Sequence, residues 1–144
     1  MRLWHKDLIP VLQIQQLLGQ WRECCLIAKN IAEKGTPNHI LVNKVMDYPI
    51  EHFYSYCGEV AAEMKYRGYK VDFSRIIKYF PNAKKDAQIK HNELFNGWHN
   101  ARYLRQCYYN LQEKYDNGGM APIEWKQIYE CRWYHIYIDL TQKE

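Results

Sequence analysis

The sequence predicts a single all-α domain, and three observations support that prediction. Apolar residues recur at intervals of three and four along three long segments, which is the spacing of one buried helix face. Glycine, proline or asparagine stands where each of these segments would end. No repeat, low-complexity run or linker interrupts the 144 residues. We therefore expect residues 1–144 to form one compact domain of three main helices, connecting loops and a packed N-terminal segment.

The first long helix is predicted to begin between Asp7 and Gln13 and to run to about Ala32. Pro10 suits one of the first helical positions, and a Gly- and Pro-containing stretch at residues 34–38 supplies the stop. Ahead of this helix, a leucine and a tryptophan within the first four residues indicate that the beginning of the sequence packs against the core.

One broad apolar stripe runs along the first helix. Its members are Ile14, Leu17, Leu18, Trp21, Cys24, Cys25, Ala28 and Ile31. Glu23 lies at one edge of the stripe, in line with Gln16 and Gln20. Arg22 lies at the opposite edge with Lys29. An acid at the border of a core is a candidate for acid–base chemistry, and a salt-bridged surface acid is the alternative.

The second helix has the clearest period in the chain. It should open at residues 47–49 and end at Gly68, which suits the left-handed position just after a helix. Residues 39–48 lack a clean period and are predicted to be a loop or a short helical turn. The predicted inward residues are Ile50, Phe53, Tyr54, Cys57, Val60, Ala61 and Met64.

The rest of the chain is predicted to form smaller pieces around a third long helix. The expected elements are a short helix at residues 74–79 stopped by Pro81, a long helix from His91 or Asn96 to about Tyr115, a short last helix at residues 122–128, and an aromatic tail at residues 133–138.

Positive charge is concentrated in the middle of the chain. Residues 65–105 contain ten Lys or Arg and three acids, so this part carries +7 and the remainder is net acidic by three. A basic middle suits a polyanionic partner, and an ordinary solvated surface is the alternative. No apolar run approaches the ~20 residues of a membrane span, and no signal peptide is recognisable. A soluble intracellular protein is therefore expected.

The cysteines and histidines do not predict a metal site. Five cysteines without a CxxC pair indicate a reduced protein. Cys24, Cys25, Cys57 and Cys107 lie on or near apolar stripes, so we expect them to be buried. The six histidines lack a paired ligand spacing such as HExxH, and neither a metal nor a cofactor is expected.

Three patches, in the same order, resemble the pyrimidine dimer DNA glycosylase family of the phage endonuclease V type. The patches are Met1-Arg2 with Gln15, Leu17, Arg22 and Glu23; residues 59–71; and Trp133, Tyr134 and Tyr137. The order and spacing of the patches carry the resemblance, because each patch by itself is a common pattern.

The resemblance implies a DNA-repair glycosylase with a coupled abasic-site lyase activity, acting on pyrimidine dimers or a related lesion in double-stranded DNA. A terminal amine attacks the sugar, displaces the base and leaves an imine, and β-elimination then breaks the strand. Met1 is expected to supply this amine, and Glu23 is expected to act as acid and base. An α-amino group, with a reference pKa of about 7.7–8.0, is far more often uncharged at neutral pH than a lysine.

The resemblance also implies how DNA is held. Arg2 and Arg22 match arginines that grip phosphates around the lesion, and Gln16 is expected to face the DNA beside them. The family's aromatic segment near the DNA corresponds to Trp133, Tyr134 and Tyr137. Such rings can stack on an extruded base, and closing the core is their alternative role. The expected enzyme is a cytoplasmic monomer, associated with the nucleoid of a bacterial or phage-infected cell.

Several residues depart from the family pattern. The family's amine belongs to a threonine exposed by removal of methionine, whereas the bulky second residue here is expected to keep Met1 in place. Gln16 and Leu26 replace a histidine and an arginine of the family's first helix, so lesion recognition or phosphate binding must differ. Lys29, on the same side as Arg22, is a candidate to compensate.

Two other functions remain open at this point. A non-catalytic helical DNA-binding module would bind DNA in a salt-sensitive way, with little dependence on damage and no need for a free terminal amine. A protein-interaction domain would use the tyrosine- and tryptophan-rich surface, and it would have neither a basic face nor DNA affinity.

Overall fold

The computed structural model describes residues 1–83 and 88–141, with side chains up to residue 131. Within these ranges the regular structure is entirely helical, which confirms the all-α prediction. The elements are a 3-10 helix Lys6–Val11, α1 Ile14–Lys34, a 3-10 helix Asn43–Asp47, α2 Ile50–Tyr66, α3 Ser74–Ile77, α4 Ala101–Asp116 and α5 Pro122–Thr141. In this part of the chain no helix combines the length and apolarity that a membrane crossing requires.

Helix α1 ends at the predicted stop. Gly35 follows its last residue with φ +73°, and its N–H donates to the carbonyl of Ile31 at 2.9 Å. Glycine tolerates this left-handed conformation without the steric penalty that a side chain would bring. The predicted stripe is largely buried, and it is wider than expected because Gln20 and Ile27 are also inaccessible.

The start of α1 differs from the prediction, since Lys6–Val11 form a 3-10 helix and Gln13 is extended. The guanidinium of Arg67, at the end of α2, donates to the carbonyls of Leu12 at 2.7 Å and Pro10 at 3.0 Å. A tertiary contact therefore satisfies these carbonyls in place of helix hydrogen bonds. As a result, α1 begins only at Ile14.

Helix α2 follows its prediction closely. Gly68 has φ +90°, and its N–H donates to the carbonyl of Lys65 at 2.9 Å. The N–H of Tyr69 donates to the carbonyl of Met64 at 2.9 Å, which completes a Schellman ending. The four predicted buried cysteines are buried, and Cys131 is half-buried; all five are free thiols.

The prediction of a third helix from His91 or Asn96 was wrong at its beginning. Residues 91–100 form turns and bends, and α4 starts at Ala101. Phe95 adopts φ +50°, fully buried, with its ring 4.9 Å from that of Trp98. A left-handed non-glycine residue costs about 1–3 kcal/mol. Burying a phenylalanine contributes about 1.5–3 kcal/mol, so packing offsets the strain.

The last helix was also predicted wrongly, because α5 extends to Thr141 and includes the expected aromatic tail. Neither glycine nor proline follows Pro122, so nothing in the sequence breaks the helix after Ile128. Helix α5 packs on α4 through Trp125, whose ring stacks on Tyr115 with 5.2 Å between centroids. The chain therefore has four long helices in the described ranges, one more than expected.

His91 joins two elements that are distant in sequence. Its Nε2 lies 2.7 Å from a carboxylate oxygen of Asp7, in the first 3-10 helix, and its Nδ1 contacts Glu59 of α2. Burial acts to lower the pKa of His91, but the hydrogen bonds to the two carboxylates outweigh burial and raise it. The protonated imidazolium is therefore favoured in the folded protein.

We expect the stabilising effect of His91 to depend on pH. A pKa raised by folding adds stability below the unfolded value of about 6.5, and that stability is lost as pH rises through the folded pKa. The difference in unfolding free energy between wild type and His91→Gln should be largest below about pH 6.5 and should shrink as the pH rises above that value. Denaturant titrations at each pH measure it. In a Glu59→Gln background the same comparison should depend less on pH, and a pH-independent difference would contradict the assignment.

Candidate active site

The structure brings Met1 and Glu23 together. The amine nitrogen of Met1 lies 4.0 Å from Oε1 of Glu23, and the other carboxylate oxygen accepts the N–H of Arg2 at 3.3 Å. The Glu23 side chain is 35% exposed, so a ligand can reach this pair from solvent. An amine and a carboxylate thus meet at the edge of the core, where the first helix carries the acid.

The segment that carries the amine is held by side chains from three helices. The carbonyl of Arg2 accepts from Nε2 of Gln20 in α1 at 3.0 Å. The carbonyl of Leu3 accepts from the hydroxyl of Tyr103 in α4 at 2.5 Å. The carbonyl of Trp4 accepts from the hydroxyl of Tyr56 in α2 at 2.6 Å. Three successive backbone carbonyls are therefore held, and two of the side chains also contact each other, because the Tyr56 hydroxyl lies 3.2 Å from Oε1 of Gln20.

Gln20 has the central place in this arrangement. Its Oε1 accepts the N–H of Trp4 at 2.8 Å while its Nε2 binds the Arg2 carbonyl, so one amide spans two residues of the segment. Burial raises the pKa of both Tyr56 and Tyr103, which keeps the two phenols protonated as donors. Pre-organisation of this kind holds a reacting group in place before its substrate arrives.

Sequence reasoning missed the positioning roles of Gln20, Tyr56 and Tyr103. Gln20 was placed in line with Glu23 at the edge of the apolar stripe but without a function, and its burial became visible only in the structure. A polar group buried in a core needs partners, and the backbone of the N-terminal segment provides them. No sequence signal identified the two tyrosines among thirteen.

Replacing Gln20 with leucine should loosen the segment. The substitution keeps the side-chain size but leaves the Trp4 N–H and the Arg2 carbonyl without partners, at a cost of about 1–3 kcal/mol. We expect faster hydrogen exchange at the Trp4 amide and a lower free energy of unfolding. Tyr56→Phe is the matched comparison, because it removes the bond to the Trp4 carbonyl and the 3.2 Å contact with Oε1 of Gln20 but leaves Gln20 in place to accept the Trp4 N–H. An unchanged Trp4 exchange rate in Gln20→Leu would contradict the role assigned to Gln20.

The other predicted contacts lie around this pair rather than in it. The Arg2 guanidinium sits 5.3 Å from the ring centre of Trp4, with Nη1 3.9 Å from the sulfur of Cys107. Gln16 lies two turns before Glu23 in α1, and its Oε1 is buried without a hydrogen-bond partner in the described part of the chain. Arg22 is exposed on another side of α1, where it lines a separate pocket.

The remaining predicted DNA contacts fall outside the described side chains. Trp133, Tyr134 and Tyr137 lie on the backbone of α5, and their side chains are beyond the described set. Their role stays a prediction. Among the described residues, no group of three or more histidine, cysteine or acidic side chains is arranged to hold a metal ion.

Comparison with known proteins identifies a family for this chain. The family model described as pyrimidine dimer DNA glycosylase matches residues 1–77, which include the amine, Glu23, Gln20 and Tyr56. No curated protein and no solved structure matches the chain. Because the matched residues make up more than half of the 144-residue sequence, the chain belongs to the pyrimidine dimer DNA glycosylase family.

Proposed function

We propose that this protein excises pyrimidine dimers or a related lesion from double-stranded DNA and then cleaves the strand at the resulting site. The observation that carries the proposal is the approach of the Met1 amine to the Glu23 carboxylate within 4.0 Å, on a segment fixed by three helices. A nucleophile and an acid–base group side by side are what an imine mechanism requires. All 144 residues act as one glycosylase unit in this proposal.

The first step forms the imine. The uncharged amine of Met1 attacks C1′ of the damaged nucleotide, the new N–C1′ bond replaces the glycosidic bond, and the base leaves with its bonding electrons and takes up a proton. The nitrogen then loses a proton, its lone pair forms the C=N bond as the C1′–O4′ bond breaks, and O4′ takes up a proton, which gives the ring-opened iminium. The Glu23 carboxylate, close to the amine, stabilises the positive charge that develops.

The second step breaks the strand. Glu23 removes a proton from C2′, the electrons move toward the iminium, and the 3′ phosphate leaves by β-elimination. Water finally hydrolyses the imine and regenerates the amine. The reaction as proposed takes its nucleophile and its base from the protein, so it calls for neither a metal nor a redox cofactor. The enzyme acts as a monomer on nucleoid DNA in the cytoplasm of a bacterial or phage-infected cell.

Borohydride trapping tests the proposal directly. The protein is mixed with a duplex that carries an abasic site or a cyclobutane dimer, the imine is reduced, and the cross-linked peptide is mapped. Trapping at the Met1 nitrogen on both substrates is expected. Trapping on the abasic duplex alone would show that the protein is an abasic-site lyase without glycosylase activity. Tight binding without a covalent product on either duplex would indicate a non-catalytic DNA-binding module and would contradict the proposed enzymatic activity.

A further inference from the structure

A basic pocket lies between α1 and the segment that begins with α3, away from the amine. Its volume is about 300 Å³. Four cationic side chains line it: Arg22, Lys29, Arg75 and Lys78. We propose that Arg75 and Lys78 complete the phosphate contact already expected of Arg22, so that this basic pocket binds one phosphate of the DNA backbone while the damaged nucleotide is at Met1. The inference rests on the proposed function and adds Arg75 and Lys78 to the residues that hold the DNA.

Helix geometry explains why the four cations converge. Arg22 and Lys29 are seven residues apart in α1, so they lie two turns apart on one face of the helix. Arg75, within α3, and Lys78, just after it, are three residues apart and therefore face the same way. The two pairs come from different parts of the chain and line the same pocket.

Cys25 also lines the pocket, one turn after Arg22 and one turn before Lys29 in α1. Its thiol lies close enough to Arg75 and Lys78 for both charges to act on its pKa. Burial raises the pKa of the Cys25 thiol, whereas Arg75 and Lys78 act in the opposite direction, as cations near the sulfur must. The ammonium of Lys78 also lies 5.0 Å from the ring centre of Tyr79, which limits where that charge can go.

The pocket keeps an excess of positive charge. Among the described residues, no acid lies within ion-pair distance of the four cations. The neighbouring carboxylate of Asp72 instead accepts from the N–H of Ser74 at 3.1 Å and from its hydroxyl at 2.5 Å. Those bonds first, and then Arg75 and Lys78, lower the pKa of Asp72, so it contributes a single negative charge nearby.

A phosphate group matches this chemistry, because arginine binds phosphate oxygens in a planar fork and lysine supplies a compact charge. The phosphate could belong to the DNA backbone or be a free anion. Glu23 and Arg22 are adjacent in α1 but project in directions about 100° apart. A strand with its sugar at Met1 therefore has to cross α1 to place a neighbouring phosphate in the basic pocket.

Binding of a fluorescent undamaged duplex, measured by anisotropy over a range of salt concentrations, tests the proposal. The variants are Lys29→Gln and the double variant Arg75→Gln with Lys78→Gln. The double variant should bind about tenfold more weakly, and the slope of log affinity against log salt should become shallower by about one, as expected for one lost phosphate contact. Exchanging the two residues as Arg75→Lys with Lys78→Arg keeps the charges and should restore most of the affinity.

Lys65→Gln is the matched control. Lys65 is an exposed lysine in the last turn of α2. Lys65 does not line the basic pocket, whose residues come from the middle of α1, from α3 and from the two residues after α3. Its removal should leave the slope unchanged. A double variant that behaves like Lys65→Gln would overturn the proposal.

Titration with inorganic phosphate separates the two sources of the ligand. If inorganic phosphate bound the basic pocket and the double variant still bound DNA with the wild-type slope, the site would serve a free anion and the DNA assignment would be wrong. If the wild-type protein failed to cleave damaged DNA while the double variant still had a shallower salt slope, the glycosylase would be refuted and the phosphate site would stand. If the wild-type protein cleaved damaged DNA and the double variant had the wild-type slope, the phosphate site would be refuted and the glycosylase would stand.

Discussion

Glu23→Gln is expected to lower strand cleavage at an abasic site by about 10²- to 10⁴-fold, the usual contribution of a general acid–base group. Affinity for an undamaged duplex should change little. Glutamine has the size of glutamate, and its amide oxygen can still accept the N–H of Arg2 that Glu23 accepts at 3.3 Å. The substitution therefore removes the negative charge and the base beside the amine while keeping the local structure.

The measurement is single-turnover cleavage with binding followed in parallel. Glu33→Gln is the matched control, because Glu33 is an exposed acid near the end of the same helix and has no contact with the N-terminal segment among the described hydrogen bonds and ion pairs. Its cleavage rate should equal that of the wild type. Cleavage by Glu23→Gln at the rate of Glu33→Gln would refute the role assigned to Glu23.

Blocking the terminal amine should have an even larger effect. One additional residue before Met1 converts its amine into an amide, which is not a nucleophile. The new terminal amine lies one residue earlier in the chain and no longer stands at the position beside the Glu23 carboxylate. We expect cleavage to fall by several orders of magnitude and the covalent adduct at Met1 to disappear. Duplex binding should survive, because the basic pocket and the helices are unchanged.

The control for this experiment is the same protein after removal of the extension. A specific protease that leaves Met1 as the first residue should restore both cleavage and trapping, and intact mass should verify each terminus. Wild-type cleavage by the extended form would show that another group performs the chemistry. A lysine identified in the cross-linked peptide would then be the group that forms the imine in place of the Met1 amine.

Local signals predicted much of the fold. Helices α1 and α2 follow from apolar spacing, and their ends follow from Gly35 and Gly68, because an α-helix is built from contacts within four residues and a left-handed glycine stops it. The prediction failed at residues 91–100, where the buried ring of Phe95 and the turn at Gly97 override a spacing that looked helical. There, packing decided the backbone conformation.

The candidate site was likewise predictable only in part from the sequence. Its acid, Glu23, was recognised by its place at the edge of an apolar stripe, and its amine by resemblance to a family that the match over residues 1–77 then supported. The residues that hold the amine were not recognisable. Gln20, Tyr56 and Tyr103 contact the N-terminal segment across sequence separations of 18, 52 and 100 residues.

By itself, then, the sequence determined the all-helical class, the two best helices with their C-terminal ends and the buried cysteines, and the family resemblance implied that an N-terminal amine acts with Glu23. Only the tertiary structure decided how the amine is held and where Arg75 and Lys78 meet Arg22 and Lys29. The physical reason is the distance along the sequence over which each kind of interaction acts. Helix spacing and capping act over one or two turns, whereas hydrogen bonds between a segment and three helices, or charges shared by two elements, exist only once distant parts of the chain have packed.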